Sequence, residues 1–495
     1  MLTLLYPAAG MVVGTILVLG GIPLLWLSGN RRIYAVIGGL LFLTILRPLP
    51  DVGDSFLYDR LLDAGWFLLV TAILGYRLVI KRKRLRAWSA SYWLLAGTLV
   101  LMVSLPVGAL LGQSVILRDF FEFYRGPYYF LVLLLATQVG WSDENLLEFL
   151  HTPLLVALFF TFAISVMQGL GDWGESLVSN VYTPRYSESF YDAFSNSVSQ
   201  GPGFFFLSNS GTFANPNWYG VSLGIMTPFL MAGLFVTGRR RLRAAIWVTV
   251  VVAFLMIVIA GSRTGLFMGT LAVFGYFGLW LFEAWRRPSI AHVAVDRVGR
   301  WAPMLLLMMV VAFLVFASAL RGDRYHGTMV ALARGIGLEI ESVEQEPSGL
   351  IEELRNLKVG RYTNPTAIRK IEGSTRLIKE AWDRSPVVGL GPSKKVGQIL
   401  GDTQYSVVFY RYGTVGILVW FGFWGAVMWH TFRKWRRSTT PLQAGMLRAV
   451  LATVPVFILA GVGGAFFDAR QIATIFLLLI GVAVSCRGKS EERTE

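Results

Sequence analysis

The 495 residues predict an all-α, polytopic membrane helical bundle of about 12 to 13 transmembrane helices with one large loop outside the bilayer. Hydrophobic residues make up 55% of the chain and its mean hydropathy is +0.57, more apolar surface than a soluble core can hide. The apolar residues come in runs of about 20, the length at which a helix crosses a bilayer with its backbone N–H and C=O groups satisfied internally. Between the runs, clusters of Arg and Lys recur on one side only, as short cytoplasmic loops require.

The runs fall at 10–27, 33–46, 61–80, 88–111, 127–141, 153–170, 218–236, 244–260, 266–282, 302–320, 404–430, 450–465 and 472–485. Arg31-Arg32, Lys81 to Arg84, Arg239 to Arg241, Arg286-Arg287 and Arg433 to Arg437 then share the inner side. The segments 51–59, 172–209 and 321–402 face outward, and the tail 487–495 stays inside. The first run is expected to remain as a span, since no charged segment precedes it and no small-residue cleavage site follows it. The +15 net charge is mostly this topological bias, and no basic patch interleaved with stacking aromatics points to nucleic acid.

Cys486 is the single cysteine, which excludes an intramolecular disulfide and a Cys-based metal site. The chain holds four His, too few and too scattered for a His-based site: His326 and His430 carry no expected chemistry, and His151 falls on the inner side. These observations divide the chain into N-terminal spans (1–210), central spans (211–320), a large outward loop (321–403), and C-terminal spans with a tail (404–495).

Within the outward loop, the residues from Ser374 to Arg384 read as an amphipathic helix. Leu377, Ile378, Ala381 and Trp382 share one face, and Arg376, Lys379, Glu380 and Asp383 the other. Pro386 stops it, and Val387-Val388-Gly389-Leu390-Gly391-Pro392 forms a turn that carries the chain back to the membrane surface. The Gly-Leu-Gly lacks the strand, third glycine and acidic partner of a dinucleotide site, so a turn is the plain reading. Asp402-Thr403-Gln404-Tyr405 then opens the next span, where Asp402 stands either as a proton acceptor or as an N-cap.

Three further outward segments carry chemistry. Gly211 to Gly220, with Asn215-Pro216-Asn217 inside it, starts a span. Asn215 can cap the helix and Pro216 suits its first position, while Asn217 and the bare N–H groups of that helix end can face an anionic or hydroxylated ligand. Gly261-Ser262-Arg263-Thr264-Gly265 is pressed between two apolar runs. A guanidinium at bilayer depth costs roughly 2.5 to 3.5 kcal/mol on insertion scales, which marks Arg263 as a candidate anion ligand. A snorkelling arginine is the bland alternative. Asp468-Ala469-Arg470-Gln471, between the last two spans, faces outward too, and either joins the site or pairs within itself at the interface.

Three blocks in chain order, Gly211 to Asn217, Gly261 to Gly265 and the Pro386 to Gly391 turn leading to Asp402-Thr403-Gln404-Tyr405, with Tyr412-Gly413-Thr414-Val415-Gly416 beyond the last, together resemble the O-antigen ligase and polymerase superfamily, most sharply from Gly211 to Gly416. Leu117 to Glu122 is similar to a segment often seen before the family's middle spans. The resemblance implies a GT-C-like many-helix bundle in the bacterial inner membrane, with its large loop and active site in the periplasm. It implies a glycosyltransferase that needs neither metal nor other cofactor and uses undecaprenyl-diphosphate-linked glycans in O-antigen or exopolysaccharide synthesis. Its partners would be that lipid-linked glycan, membrane lipids, a chain-length regulator and a flippase, with no nucleic acid.

In that reaction a sugar hydroxyl attacks the anomeric carbon and undecaprenyl diphosphate leaves. Arg263 is expected to stabilise the charge developing on the diphosphate, a task for a five-donor fork. Asp402 is the expected base. Asn215, Asn217, Gln404, Tyr405, Asp468 and Arg470 are expected to bind substrate. No D-x-D pair that would hold Mg²⁺ occurs on the outward loops.

Two departures from the family's ligases favour polymerase over ligase. They carry a His where this chain has Asp402, and an Arg where it has Asn209-Ser210. Arg185 or Arg376 is expected to supply the missing charge. The ligase reading, transfer of the glycan to lipid A core, stays open. A transporter or flippase of the same lipid is the rival from another class, against which stand the absence of an inverted repeat and the clustering of charged candidates on one side.

Overall fold

The computed structural model describes residues 29–46, 55–82, 84–113, 124–168, 212–213, 216–235, 240–260, 262–286, 365–392, 403–462 and 464–487. The expected spans 10–27 and 302–320, most of the segment 321–402, residues 117–122, His326 and the tail from 488 lie outside them. The described elements are helices without strands: α1 (Gly29–Ile45), α2 (Ser55–Gly75), α3 (Ser89–Leu110), α4 (Arg125–Ala136), α5 (Thr152–Gln168), α6 (Pro216–Ala232), α7 (Arg240–Ile259), α8 (Arg263–Arg286), α9 (Pro365–Arg384), α10 (Gln404–Arg436), α11 (Pro441–Ala460) and α12 (Arg470–Ser485). Among the described residues, five helical stretches are long and apolar enough to cross a membrane: Ser89–Leu110, Asp143–Met167, Thr264–Arg286, Gln404–Arg436 and Pro441–Ala460. The protein is a helical membrane bundle.

Local chemistry sets the helix starts. The Thr403 hydroxyl accepts from the Ser406 N–H (3.2 Å) to open α10, and the Thr440 hydroxyl accepts from the Gln443 N–H (3.2 Å), with Pro441 at the first position of α11. That cap places the start of α11 at Pro441 rather than at 450. Ser262 does the same for α8, accepting from the Gly265 N–H at 3.0 Å. Arg433, Lys434 and Arg436 in the last turn of α10 complement its negative end.

The core is built where small residues let helices touch. Gly220 and Gly224 of α6 face Gly265 and Gly269 of α8: a Cβ on Gly265 would stand 2.6 Å from the Gly220 Cα, and one on Gly224 would stand 3.0 Å from the Gly269 nitrogen. Two small-xxx-small pairs thus bring the two backbones together, the contact that replaces the hydrophobic effect inside lipid. α11 packs on both helices and is 83% buried along its apolar window, so it is the centre of the bundle rather than a lipid-facing span. Between α11 and α8 sits an ion pair, Arg448 Nε to a Glu283 carboxylate oxygen at 3.5 Å, with side chains 2% and 5% exposed.

Polar contacts tie helix ends together at two places in the bundle. At one end, Gln471 donates to the carbonyl of Thr44 (2.8 Å), and Thr212 donates to that of Ile45. At the other, the Thr137 hydroxyl donates to the Arg86 carbonyl (3.0 Å), Lys434 to Val484 (2.6 Å) and Gln443 to Cys486 (3.1 Å). Cys486 is buried at this basic end, where its neighbour Ser485 accepts from the Trp141 N–H (3.1 Å).

α10 is broken at Gly413, whose φ of 61° and ψ of −159° lie in a region that side chains exclude. The turn after α9 fills the break. The N–H groups of Leu390 and Gly391 donate to the carbonyls of Tyr410 (2.8 Å) and Arg411 (2.9 Å), while those of Thr414 and Val415 donate to Pro386 (2.8 Å) and Val387 (3.1 Å). On its other side the turn touches α3, where a Cβ on Gly391 would stand 2.8 Å from the Ser104 carbonyl oxygen. The expected surface turn is therefore wedged between α3 and α10. Its irregular backbone is satisfied by the protein's own carbonyls and N–H groups.

Candidate functional site

The end of the bundle that carries Gln404 gathers the described parts of all three motif blocks. Gly220 of the first touches Ser262 and Gly265 of the second, where a Cβ on Gly220 would lie 2.5 Å from the Ser262 Cβ. Phe213 stacks on Tyr219 with ring centroids 5.8 Å apart, which fixes the approach to α6. The Thr212 carbonyl accepts from Gln471 (3.4 Å), and this bond ties the first block to the start of α12.

The third block joins through Gln404. Its N–H donates to the Gly461 carbonyl (2.7 Å) and its side-chain oxygen accepts from the Phe467 N–H (3.0 Å), so the start of α10 is pinned to the connection between α11 and α12. Gln404 is 2% exposed; it holds the backbone of this end rather than offering its amide to solvent. Tyr405 donates to the Ile458 carbonyl and stacks on Phe421 at 5.9 Å. Arg470, the first residue of α12, donates to the Tyr124 hydroxyl, and Tyr129 donates to the Phe467 carbonyl at 3.4 Å. Asp468 lies in the short turn Phe466–Asp468 just before α12, and its side chain is outside the described set.

Arg263 is the first residue of α8, immediately after the capping Ser262; its side chain lies outside the described set. The positive end of the helix dipole and the arginine's own position therefore coincide. Asn217 is exposed in the first turn of α6, while Asn215, Arg185 and Asp402 lie outside the described residues. The N-cap of α10 is Thr403, so the capping role considered for Asp402 belongs to its neighbour. Arg376 is exposed on α9, two residues beyond Ser374, whose hydroxyl is 3.3 Å from that of Thr403.

Beside Gln404 opens a cleft between α3, α4 and α10 with a cavity volume of about 120 Å³. Its walls are mostly apolar, from Trp93 and Leu101 to Val408, Trp420 and Phe423, with Arg125, Thr98 and Gln404 among the lining residues. A shape of this kind accepts a chain with an apolar body and a polar head. Among the described residues, no three His, Cys, Asp or Glu side chains are grouped as a metal site would need.

Sequence reading did not single out Thr212, Tyr124 and Phe467, because each acts through a partner far away in the chain. The Arg448–Glu283 pair was missed for the same reason, although each residue stands at the edge of an apolar run. Compared with known proteins, the chain matches no family model and no curated protein.

Proposed function

We propose that the protein is a glycan polymerase of the bacterial inner membrane. It transfers an undecaprenyl-diphosphate-linked oligosaccharide onto a sugar hydroxyl of another repeat unit at the periplasmic face. The carrying observation is the convergence of the three motif blocks at one end of the bundle through Gly220 with Gly265, Thr212 with Gln471, and Gln404 with Phe467. The apolar cleft beside Gln404 supports a lipid-linked substrate, since an isoprenoid needs a dry wall and a polar head near the membrane surface.

In this reading the acceptor oxygen forms a bond to the anomeric carbon as the bond to the diphosphate breaks, with inversion. The leaving diphosphate takes the electron pair, and Arg263, at the capped start of α8, stabilises its charge alongside the helix dipole. The hydroxyl proton passes to Asp402, one residue before the Thr403 cap. Arg470 and Tyr124 orient the sugars or the diphosphate from the facing side of the same end.

The test is purified protein in liposomes with one lipid-linked repeat unit, with and without lipid A core. A ladder of products establishes polymerase. A single transfer to core makes the protein a ligase, and movement of the lipid without glycosidic bond formation makes it a transporter.

A further inference from the structure

The amphipathic helix α9 buries only half of its apolar face. Leu377 and Ala381 are packed against Leu390 and Tyr410. Ile378 and Trp382, one turn apart on the neighbouring face, are 42% and 62% exposed, and Val387 in the wedged turn is 58% exposed. A water-facing helix does not gain by presenting a Trp and an Ile side by side.

These three residues lie beside an apolar stripe of α10. Below the break, the exposed positions of that helix run Thr414, Leu418, Phe421, Gly425, Trp429 and Phe432, spaced three or four apart as one face, until Arg433 and Arg436 join them in the last turn. Val387 joins the top of the stripe, since its carbonyl accepts from the Val415 N–H (3.1 Å), next to Thr414. Trp382 continues it past the break by stacking on Phe409, ring centroids 6.2 Å apart. At its other edge α9 is fixed to the end of α3, where Arg384 donates to the Leu111 carbonyl and Gln113 to Glu380 (3.4 Å). The helix therefore sits where two membrane helices end, with its apolar side in line with a lipid-facing one.

We propose that α9 is an interfacial helix whose Ile378–Trp382 face and Val387 insert into the phospholipid leaflet at the Gln404 end. Trp favours that depth because its ring is apolar and its N–H is wet. Lys379, on the flank of this face, is long enough to set its ammonium among lipid phosphates. Arg376 and Asp383 occupy the opposite, aqueous side. Docked in this way, α9 holds the turn that fills the Gly413 break at a constant depth. The inference is independent of which reaction the protein performs.

The experiment uses the full chain in phospholipid vesicles with Cys486→Ser, so that single cysteines introduced at Ile378, Trp382, Arg376 and Phe421 can carry a nitroxide. Collision with oxygen, which concentrates in lipid, is compared with collision with a water-soluble nickel chelate. Labels at 378 and 382 are expected to give an oxygen-to-nickel ratio between those at 376 and 421 and at least three-fold above 376. A ratio equal to that at 376 overturns the proposal, and so does a label shielded from both reagents, which would mean protein covers the face. The Ile378 label keeps the test decisive if Trp382→Cys loosens the stack on Phe409.

Discussion

Arg448 of α11 and Glu283 of α8 form an ion pair 3.5 Å long in the interior of the bundle, and the guanidinium lies 5.0 Å from the Tyr276 ring centre. Two charges removed from water stabilise a fold only while they have each other, so removing one leaves the other uncompensated. Glu283→Ala is expected to destabilise the protein by about 3 to 5 kcal/mol. The double variant Arg448→Met with Glu283→Leu is expected to recover most of that loss. Thermal unfolding in detergent, followed by retention of the monodisperse species, measures both.

The break in α10 depends on two glycines that face each other. A Cβ at Gly389, where φ is +77°, would overlap the backbone of Arg411 and Tyr412; one at Gly413 would overlap Val387. Gly389→Ala and Gly413→Ala are each expected to unseat the turn, at a cost above the 1 to 2 kcal/mol or so of left-handed backbone strain alone. Faster cleavage between 385 and 392 by added protease, with the membrane helices still protected, is the expected readout.

Arg263→Lys keeps a positive charge at the start of α8 and removes the bidentate fork. If Arg263 holds the diphosphate, polymer growth falls by at least about two orders of magnitude, the scale at which loss of one oriented donor slows a reaction. Ser262 and Gly265 keep the local backbone as it is, so the variant should be as stable as the parent. Polysaccharide of normal length from that variant would remove Arg263 from the site.

Asp402 and Thr403 separate chemistry from capping. Thr403→Ala removes the bond to the Ser406 N–H and is expected to cost about 1 kcal/mol of stability while turnover persists. Asp402→Asn is expected to do the reverse, leaving stability and lipid-substrate binding intact while turnover is lost. Measuring both variants for unfolding and for product formation distinguishes a base from a residue that only adjoins a cap.

Some of this end of the bundle was legible because its signals are local. The Asn-Pro-Asn block reads as a helix start, and α6 begins at Pro216; the caps at Ser262 and Thr403 came from the structure. Gln404 is expected from the sequence to contact substrate; that its side-chain oxygen also fastens α10 to Phe467 is visible only once residues 404 and 467 are neighbours. The α9 face shows the same division. Periodicity groups Leu377, Ile378, Ala381 and Trp382 on one side, and the packing against Leu390 and Tyr410 decides that Leu377 and Ala381 are covered while Ile378 and Trp382 stay exposed.

By itself the sequence determined that this is a helical membrane protein and where several of its helices start. Hydropathy, basic clusters and capping chemistry are properties of neighbouring residues, so they survive without a fold. Tertiary structure alone decided the Gly220–Gly265 seam, the Arg448–Glu283 pair and the insertion of the 386–391 turn into the break at Gly413. Each depends on backbones or charges meeting across long stretches of chain, and the energy of such a meeting is set by packing and by exclusion of lipid and water, which no local pattern encodes.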